Sequence, residues 1–312
     1  MINRSLLRIK SVQILYSYFV SDCGDAERTD EELGESISRA SDLYYCVLQF
    51  LVEARRYAER AAEHIKCLEE PENDPLYGLL QSNRISNNRV ARMLEENAEL
   101  REYLENRDLS WVWEIHRNAV RDVLMNVQNE EYFKRYVDGE DSFESDIVFC
   151  RHLLQKSLIG NEEFEQAIEE VNIYWNDDLF NAVAFAVKTL KHFNGQDGEN
   201  NKLMPVMKGI DEIEYARRLV RYTIANYKKI DEKIEPLLKG WNIERLSVMD
   251  LTVVRAAVAE MLVFDDIHVA VTMNEYIEIA KAYCGGNSVQ FVSGLLYSIG
   301  KELAPLEMKS RK

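Results

Sequence analysis

Apolar positions at the start of the chain run almost all the way round a helix. Leu7, Ile14 and Tyr18 share one stripe, and Val12, Tyr16 and Phe19 share another. Lys10, Gln13 and Ser17 leave only a narrow polar strip. The spacing predicts a helix over 4–20, largely buried, with its start at the surface. The stretch SDCGDAERTDEELGES that follows reads as a polar, acidic connection. From Ser36 to about Leu68, apolar residues return at helical spacing (Ile37, Ala40, Leu43, Tyr44, Val47, Leu48, Leu51) and predict a long amphipathic helix. EEPENDPL, over 69–76, ends it with two prolines.

The middle of the chain alternates. QSNRISNNRVARMLEENAELREYLENRDLSW is so polar that it reads as exposed. WVWEIHRNAVRDVLMN and DIVFCRHLLQKSL each predict a helix, and FEQAIEEVNIYWNDDLFNAVAFAVKTLKHF one or two more. NGQDGENN, over 194–201, reads as the clearest flexible stretch. A long helix and a shorter one follow, up to about Gly240. Beyond Trp241 the pattern predicts helices over 247–263, 273–284 and 288–303. Their starts carry capping signals: Ser247 with Asp250, Thr272 with Glu275, and Asn287 with Gln290. Gly285 and Gly286 supply a stop. No alternating strand pattern competes, so the chain reads as all-α, helix packed on helix.

Composition supports that reading. Among 312 residues there are only 5 prolines and 13 glycines, and 46% are hydrophobic, enough for a sizeable core. No apolar run approaches a membrane span, and the start lacks a secretory signal pattern. Cys23, Cys46, Cys67, Cys150 and Cys284 are scattered without metal-ligand spacing, and the five histidines are isolated. No metal site or cofactor is expected, and a reducing cytoplasm is the natural setting.

Charge divides the chain. The net charge is −16, yet residues 1–21 contain three cations and no acid. Residues 22–201 contain 19 Lys+Arg against 39 Asp+Glu, and residues 202–312 contain 16 against 15. The two ends can approach a polyanion more easily than the acidic middle can. No Gly-rich phosphate loop, nucleophile elbow or carboxylate paired with a positioned base is readable, so the pattern does not point to an enzyme.

Particular residues at the C-terminal end then suggest a family. W-x-x-x-R-L-x-x-x-D, R-x-x-x-x-E-M-L, D-I-x-V-x-V-x-x-N-E-x-I-E-I-A-K and S-x-x-F-V-x-G-L-L occur in this order, with Trp241, Arg245, Arg255, Glu260, Asn274, Glu275, Lys281, Ser288, Phe291 and Gly294 at key positions. Together they resemble the transcription antitermination factor NusB family. The opening R-x-x-x-V-Q-x-L-Y, from Arg8 to Tyr16, resembles that family's first helix. The resemblance implies a non-enzymatic bundle of two helical subdomains. It implies binding of a boxA-like single-stranded RNA together with a NusE-like small-subunit ribosomal protein, and indirect action on the RNA polymerase elongation complex.

On that resemblance the expected RNA-binding residues are Arg4, Arg8, Lys10, Tyr16, Asn287, Ser288, Gln290 and Phe291. The expected partner-binding residues are Asp250, Arg255, Asn274 and Glu275. Each has a plainer reading. Arg4, Arg8 and Lys10 also suit a solvated helix start, and Tyr16 suits the core. Arg255 and Glu260 suit structural ion pairs, Asp250 suits a cap, and Asn274 and Glu275 suit structural roles around a capping box. Members of the family are about half this length. The expected layout is therefore a core of N-terminal helices over 1–71, an acidic helical insertion over 72–209 and a C-terminal helical subdomain over 210–312. Ser293 replaces the family's usual Asn. The rival reading is a helical interaction scaffold that has lost RNA. A methyltransferase fused to such a domain would need a cofactor-binding α/β domain, and none is readable.

Overall fold

A computed structural model describes residues 2–21, 24–80, 82–205, 210–238, 242–286 and 288–310. Among them there are helices and turns but no strand, so the protein is all-α. Helix α1 (Arg4–Val20) spans the predicted residues and is capped by Asn3, whose side chain accepts from the Leu6 N–H at 2.8 Å. Helix α2 (Ala26–Ile65) begins ten residues before its expected start. The acidic text read as a connection is helical because Thr29, Leu33 and Ile37 recur at i, i+4 and are buried. Asp25 supports its first turn by accepting from the Glu27 N–H at 2.8 Å.

The chain divides into two compact units. One comprises residues 38–206 with Met1, and the other comprises 2–37 with 207–312. The partition falls inside α2. The expected boundary at 71/72 lies within the first unit, and the one at 209/210 lies close to the second partition. The first unit carries 19 Lys+Arg against 32 Asp+Glu, a balance of −13. The second carries 19 against 22, a balance of −3.

The first unit holds the C-terminal part of α2 and helices α3 (Tyr77–Leu80), α4 (Arg89–Glu96), α5 (Ala98–Asn106), α6 (Val112–Ile115), α7 (Arg117–Val127), α8 (Glu131–Asp138), α9 (Phe143–Ser157), α10 (Glu162–Val171) and α11 (Leu179–Leu190). Its core is aromatic. Trp113 stacks on Phe164 at 4.9 Å, both edge-on to Phe50, and the Trp113 indole N–H donates to the Cys46 carbonyl at 2.7 Å. The supposedly exposed polar text folds into α4 and α5, which bury Val90, Ala91, Leu94, Leu100 and Leu104. Its asparagines are caps: Asn88 accepts from the Ala91 N–H and Asn97 from the Leu100 N–H, each at 3.0 Å. The 194–201 stretch is not loose either. Asn201 donates to the carbonyls of Asn194 and Gly198, and Asn97 donates to those of Glu199 and Asn201, at 2.8–2.9 Å. Five apolar side chains and three buried amides therefore order sequence that composition alone marks as loop.

The second unit gathers α1 and the start of α2 with α12 (Ile210–Ile234), α13 (Val248–Val263), α14 (Val269–Tyr283) and α15 (Ser288–Ser310). Helix α13 is the central element and packs on α1, α12, α14 and α15. That explains why its text is apolar on every side, with Val253, Val254, Ala256, Ala257, Val258 and Ala259 all buried. Ser247 caps it as expected, accepting from the Asp250 N–H at 3.0 Å. The expected capping box at Thr272 is not one. α14 starts earlier, after His268, and Thr272 is buried inside it, donating to Glu260 at 2.7 Å. α14 stops at Tyr283 before Gly285, and Gly286 takes φ +44°, a left-handed backbone suited to glycine. Gly300 lets α15 lie close on α14, since a Cβ there would collide with Met273 and come within 3.3 Å of Val269.

Candidate nucleic-acid interface

The expected cations do not share one surface. Arg4 is exposed at the start of α1, where it pairs with Asp266 at 3.1 Å and lies 5.5 Å from the Tyr215 ring centre. Arg8, one turn on, is only 3% exposed. It donates from Nε and Nη2 to the Glu260 carboxylate at 2.8–3.1 Å and from Nη1 to Glu275 at 3.2 Å. Lys10 is 1% exposed. The expectation that Arg8 and Lys10 meet phosphate is therefore corrected by burial. A fully buried carboxylate needs a charged, multidentate partner, and α1 supplies it.

Glu260, expected to suit a structural ion pair, makes one with Arg8 on α1 and is also the hub of a wider network. It is fully buried on α13 and receives Arg8, Thr272 at 2.7 Å, Tyr276 at 3.3 Å and the Tyr215 hydroxyl. Burial, then the Glu260 charge, pushes the Tyr215 and Tyr276 hydroxyls well above the ordinary range, so both stay protonated as donors. Burial pulls the Arg8 guanidinium down, but the hydrogen bonds to Glu260 and its charge outweigh it and hold Arg8 above its ordinary value. Four of the unit's helices, α1, α12, α13 and α14, meet on this one carboxylate.

Of the remaining expected RNA residues, Tyr16 lies towards the other end of α1, and Ser288, Gln290 and Phe291 lie at the start of α15. Gln13 donates to the Tyr283 hydroxyl at 3.0 Å, which ties α1 to the end of α14 beside the glycine stop. Tyr16 follows one turn later and is 37% exposed, so it is not a core residue. Ser288 opens α15, with its N–H donating to the Gly285 carbonyl at 2.9 Å. Gln290 is exposed and Phe291 half-buried, and both line a 310 Å³ cavity with Leu237, Leu238, Gly294 and Ser298. Asn287 lies outside the described residues, as does Trp241. Arg4 and Tyr16 are twelve positions apart, about 18 Å along the helix, so the expected patch is two patches.

A larger cavity of 610 Å³ adjoins Arg4 and was not anticipated. Arg4, Arg218 and Arg221 line it together with Tyr215, Tyr222 and Phe264. Arg218 lies 5.1 Å from the Phe264 ring centre and donates to the Val263 carbonyl at 3.0 Å, while Arg221 pairs with Asp30 at 2.9 Å. Arginine interleaved with aromatic rings is the chemistry that tracks single-stranded nucleic acid. The available signal was Tyr215, Arg218 and Tyr222 at i, i+3 and i+7 on α12.

Of the expected partner residues, Asn274 is exposed on α14. Glu275 is half-buried and accepts from Ser5 at 2.6 Å as well as from Arg8. Arg255 pairs through two hydrogen bonds with Asp231, at 2.8 and 2.6 Å, and lies over Phe19 and Tyr227. Asp250 is buried in the first turn of α13, against Cys284. The described residues contain no group of three metal-ligating side chains, and no helix among them is long and apolar enough to cross a membrane.

Residues 181–301 match the model of the NusB family. The transcription antitermination protein NusB of Thermotoga maritima is 47% identical over 94 residues, 30% of this chain and 66% of that protein. The proteins of the same name from Natranaerobius thermophilus and Clostridium botulinum strain Hall are 38% and 42% identical over 90 residues each. Those stretches are 29% of this chain and 65% and 62% of the relatives. The matched stretch thus spans just under two thirds of each relative. No solved structure matches the chain. The similarity to the NusB family is therefore carried by residues 181–301, the C-terminal part of the chain.

Proposed function

We propose that this protein is a non-enzymatic transcription antitermination factor of the cytoplasm. In this reading it binds a boxA-like single-stranded RNA together with a NusE-like ribosomal protein and acts on RNA polymerase through that complex. The family match over residues 181–301 is the observation that carries the reading. The RNA surface is assigned to Arg4 with the arginine and aromatic cavity beside it, to Tyr16 towards the end of α1, and to Ser288, Gln290 and Phe291 at the start of α15. The exposed face of α14 around Asn274 is assigned to the protein partner. The burial of Arg8 and Lys10 favours a second reading, a protein scaffold that no longer holds RNA, because it leaves α1 one exposed cation in place of three.

The two readings separate in one titration. A boxA-like RNA is added to the protein with and without the ribosomal protein, across a salt series. Each phosphate contact on a single strand adds about −0.7 to the log–log salt slope. Arg4→Ala is expected to weaken binding and make the slope shallower by about that amount. Absence of RNA binding with a competent partner present would leave the scaffold reading.

A further inference from the structure

We propose that the first unit carries a nucleoside phosphate site, in the groove formed by the end of α2 and the start of α7. The groove has a volume of 450 Å³. Arg60 and His64 face it from α2, and Arg117 and Arg121 face it from α7. Each pair is spaced i, i+4, so both members lie on one helix face. Four cationic or titratable-cation side chains thus converge in a unit whose net charge is −13.

These groups are weakly engaged. Arg60 approaches Glu53 only at 3.8 Å, and Arg117 pairs with Glu114 at 3.1 Å between side chains that are both mostly exposed. Neither Arg121 nor the His64 side chain has a hydrogen bond or ion pair among the described residues. Other arginines of this unit are held tightly by carboxylates: Arg107 pairs with buried Asp42 at 2.7 Å, and Arg89 with buried Asp146 at 2.8 Å.

Helix stability does not account for the placement. α7 is eleven residues long, begins with Arg117, has no acidic residue in its first turn and no side-chain cap. A cation at that end opposes the helix dipole, whereas a bound anion is favoured there by both the dipole and the arginines.

The rest of the groove suits more than a bare anion. Its floor is Ala61, Ile65 and Leu76, an apolar surface of the kind that accepts a base or sugar face. Tyr57 and Asn118 add neutral polar groups, and Asp74 offers a carboxylate beside them. A carboxylate repels a free anion but accepts from a ribose hydroxyl or a base amino group. The phosphate belongs with the arginines and the nucleoside with the floor. Free nucleotides and nucleotides within single-stranded RNA share this chemistry.

The test uses the full chain and three probes: inorganic phosphate, AMP and a uridine hexanucleotide. Binding is followed by calorimetry and by the His64 imidazole resonance. Replacing two guanidiniums, Arg117→Gln with Arg121→Gln, is expected to weaken AMP or hexanucleotide binding about tenfold or more. Arg135→Gln, an exposed change outside the groove, controls for net charge, and circular dichroism confirms folding. Hexanucleotide binding much tighter than AMP, and competing with it, identifies RNA as the source. AMP binding at least as tight identifies free nucleotide. Phosphate that binds as well as AMP, binding insensitive to the double variant, or no binding by any probe overturns the site. The site does not depend on the RNA surface of the second unit, because Arg4→Ala is expected to leave AMP binding intact.

Discussion

Arg8 shows how a residue's chemistry depends on a partner far away in sequence. Its guanidinium is matched to Glu260, 252 positions later, inside an apolar bundle. Removing one member of a buried pair strands the other, at a cost of about 3–5 kcal/mol. Arg8→Ala is therefore expected to lower unfolding free energy by about that amount in urea melts, with RNA binding lost only as folding is lost. Arg8→Met combined with Glu260→Leu is expected to recover only part of the stability, because the buried Thr272, Tyr215 and Tyr276 hydroxyls lose their acceptor. Full stability of Arg8→Ala alone would show that Arg8 does not support the core. The pattern of α1 did place Arg8 on a mostly apolar helix. What it lacked was any sign that a buried acid on α13 waited for it.

Cys284 gives the second prediction at this scale. Burial, then the neighbouring Asp250 carboxylate, pushes its thiol up to about 12. An unfolded cysteine titrates near 8.5. The folded state thus keeps a proton that the unfolded chain releases. The associated stability is present below about pH 8.5 and is lost as pH rises towards 12, with a slope of up to about 1.4 kcal/mol per pH unit. Urea melts between about pH 7.5 and 10.5 are expected to fall more steeply for the native protein than for Cys284→Ala. Parallel curves would remove this thiol from the alkaline loss.

At the scale of elements, Asn97 joins a cap to a clamp. Its oxygen accepts from the Leu100 N–H at the start of α5, and its amide holds the carbonyls of Glu199 and Asn201. Asn97→Ala removes all three bonds and is expected to cost about 2–3 kcal/mol. Protease cleavage should then begin in 194–201, and an uncut loop would argue against the clamp. Helices whose ends are set by local chemistry were legible: α1, α13 and the stop of α14. α4 and α5 were not, because asparagines that cap a helix read the same as asparagines that line a loop. Thr272 misled for a related reason. Its hydroxyl suited a cap by spacing, but Glu260 holds it inside α14.

At the scale of the molecule, the acidity of the middle of the chain was legible, and the first unit carries most of it. The partition inside α2 was not, because a continuous amphipathic helix has no break in its text where its packing partners change. The groove at Arg60, His64, Arg117 and Arg121 was invisible for the same reason. Its cations come from two helices, each of which alone looks like an ordinary solvated face.

The second unit is built from the two ends of the chain, whereas the first is a nearly continuous run. On the ribosome this imposes an order. Leu6, Leu7 and Leu15 emerge long before the helices that cover them, which are made only after residue 207. At about 5–20 residues per second, Arg8 is without Glu260 for roughly 10–50 s, and in that interval the acidic unit can complete its own core. Helix α1 is thus a nascent apolar segment that needs shielding until the helices beyond residue 207 are made, so its demand on chaperones is set by the length of the unit that separates it from its partners.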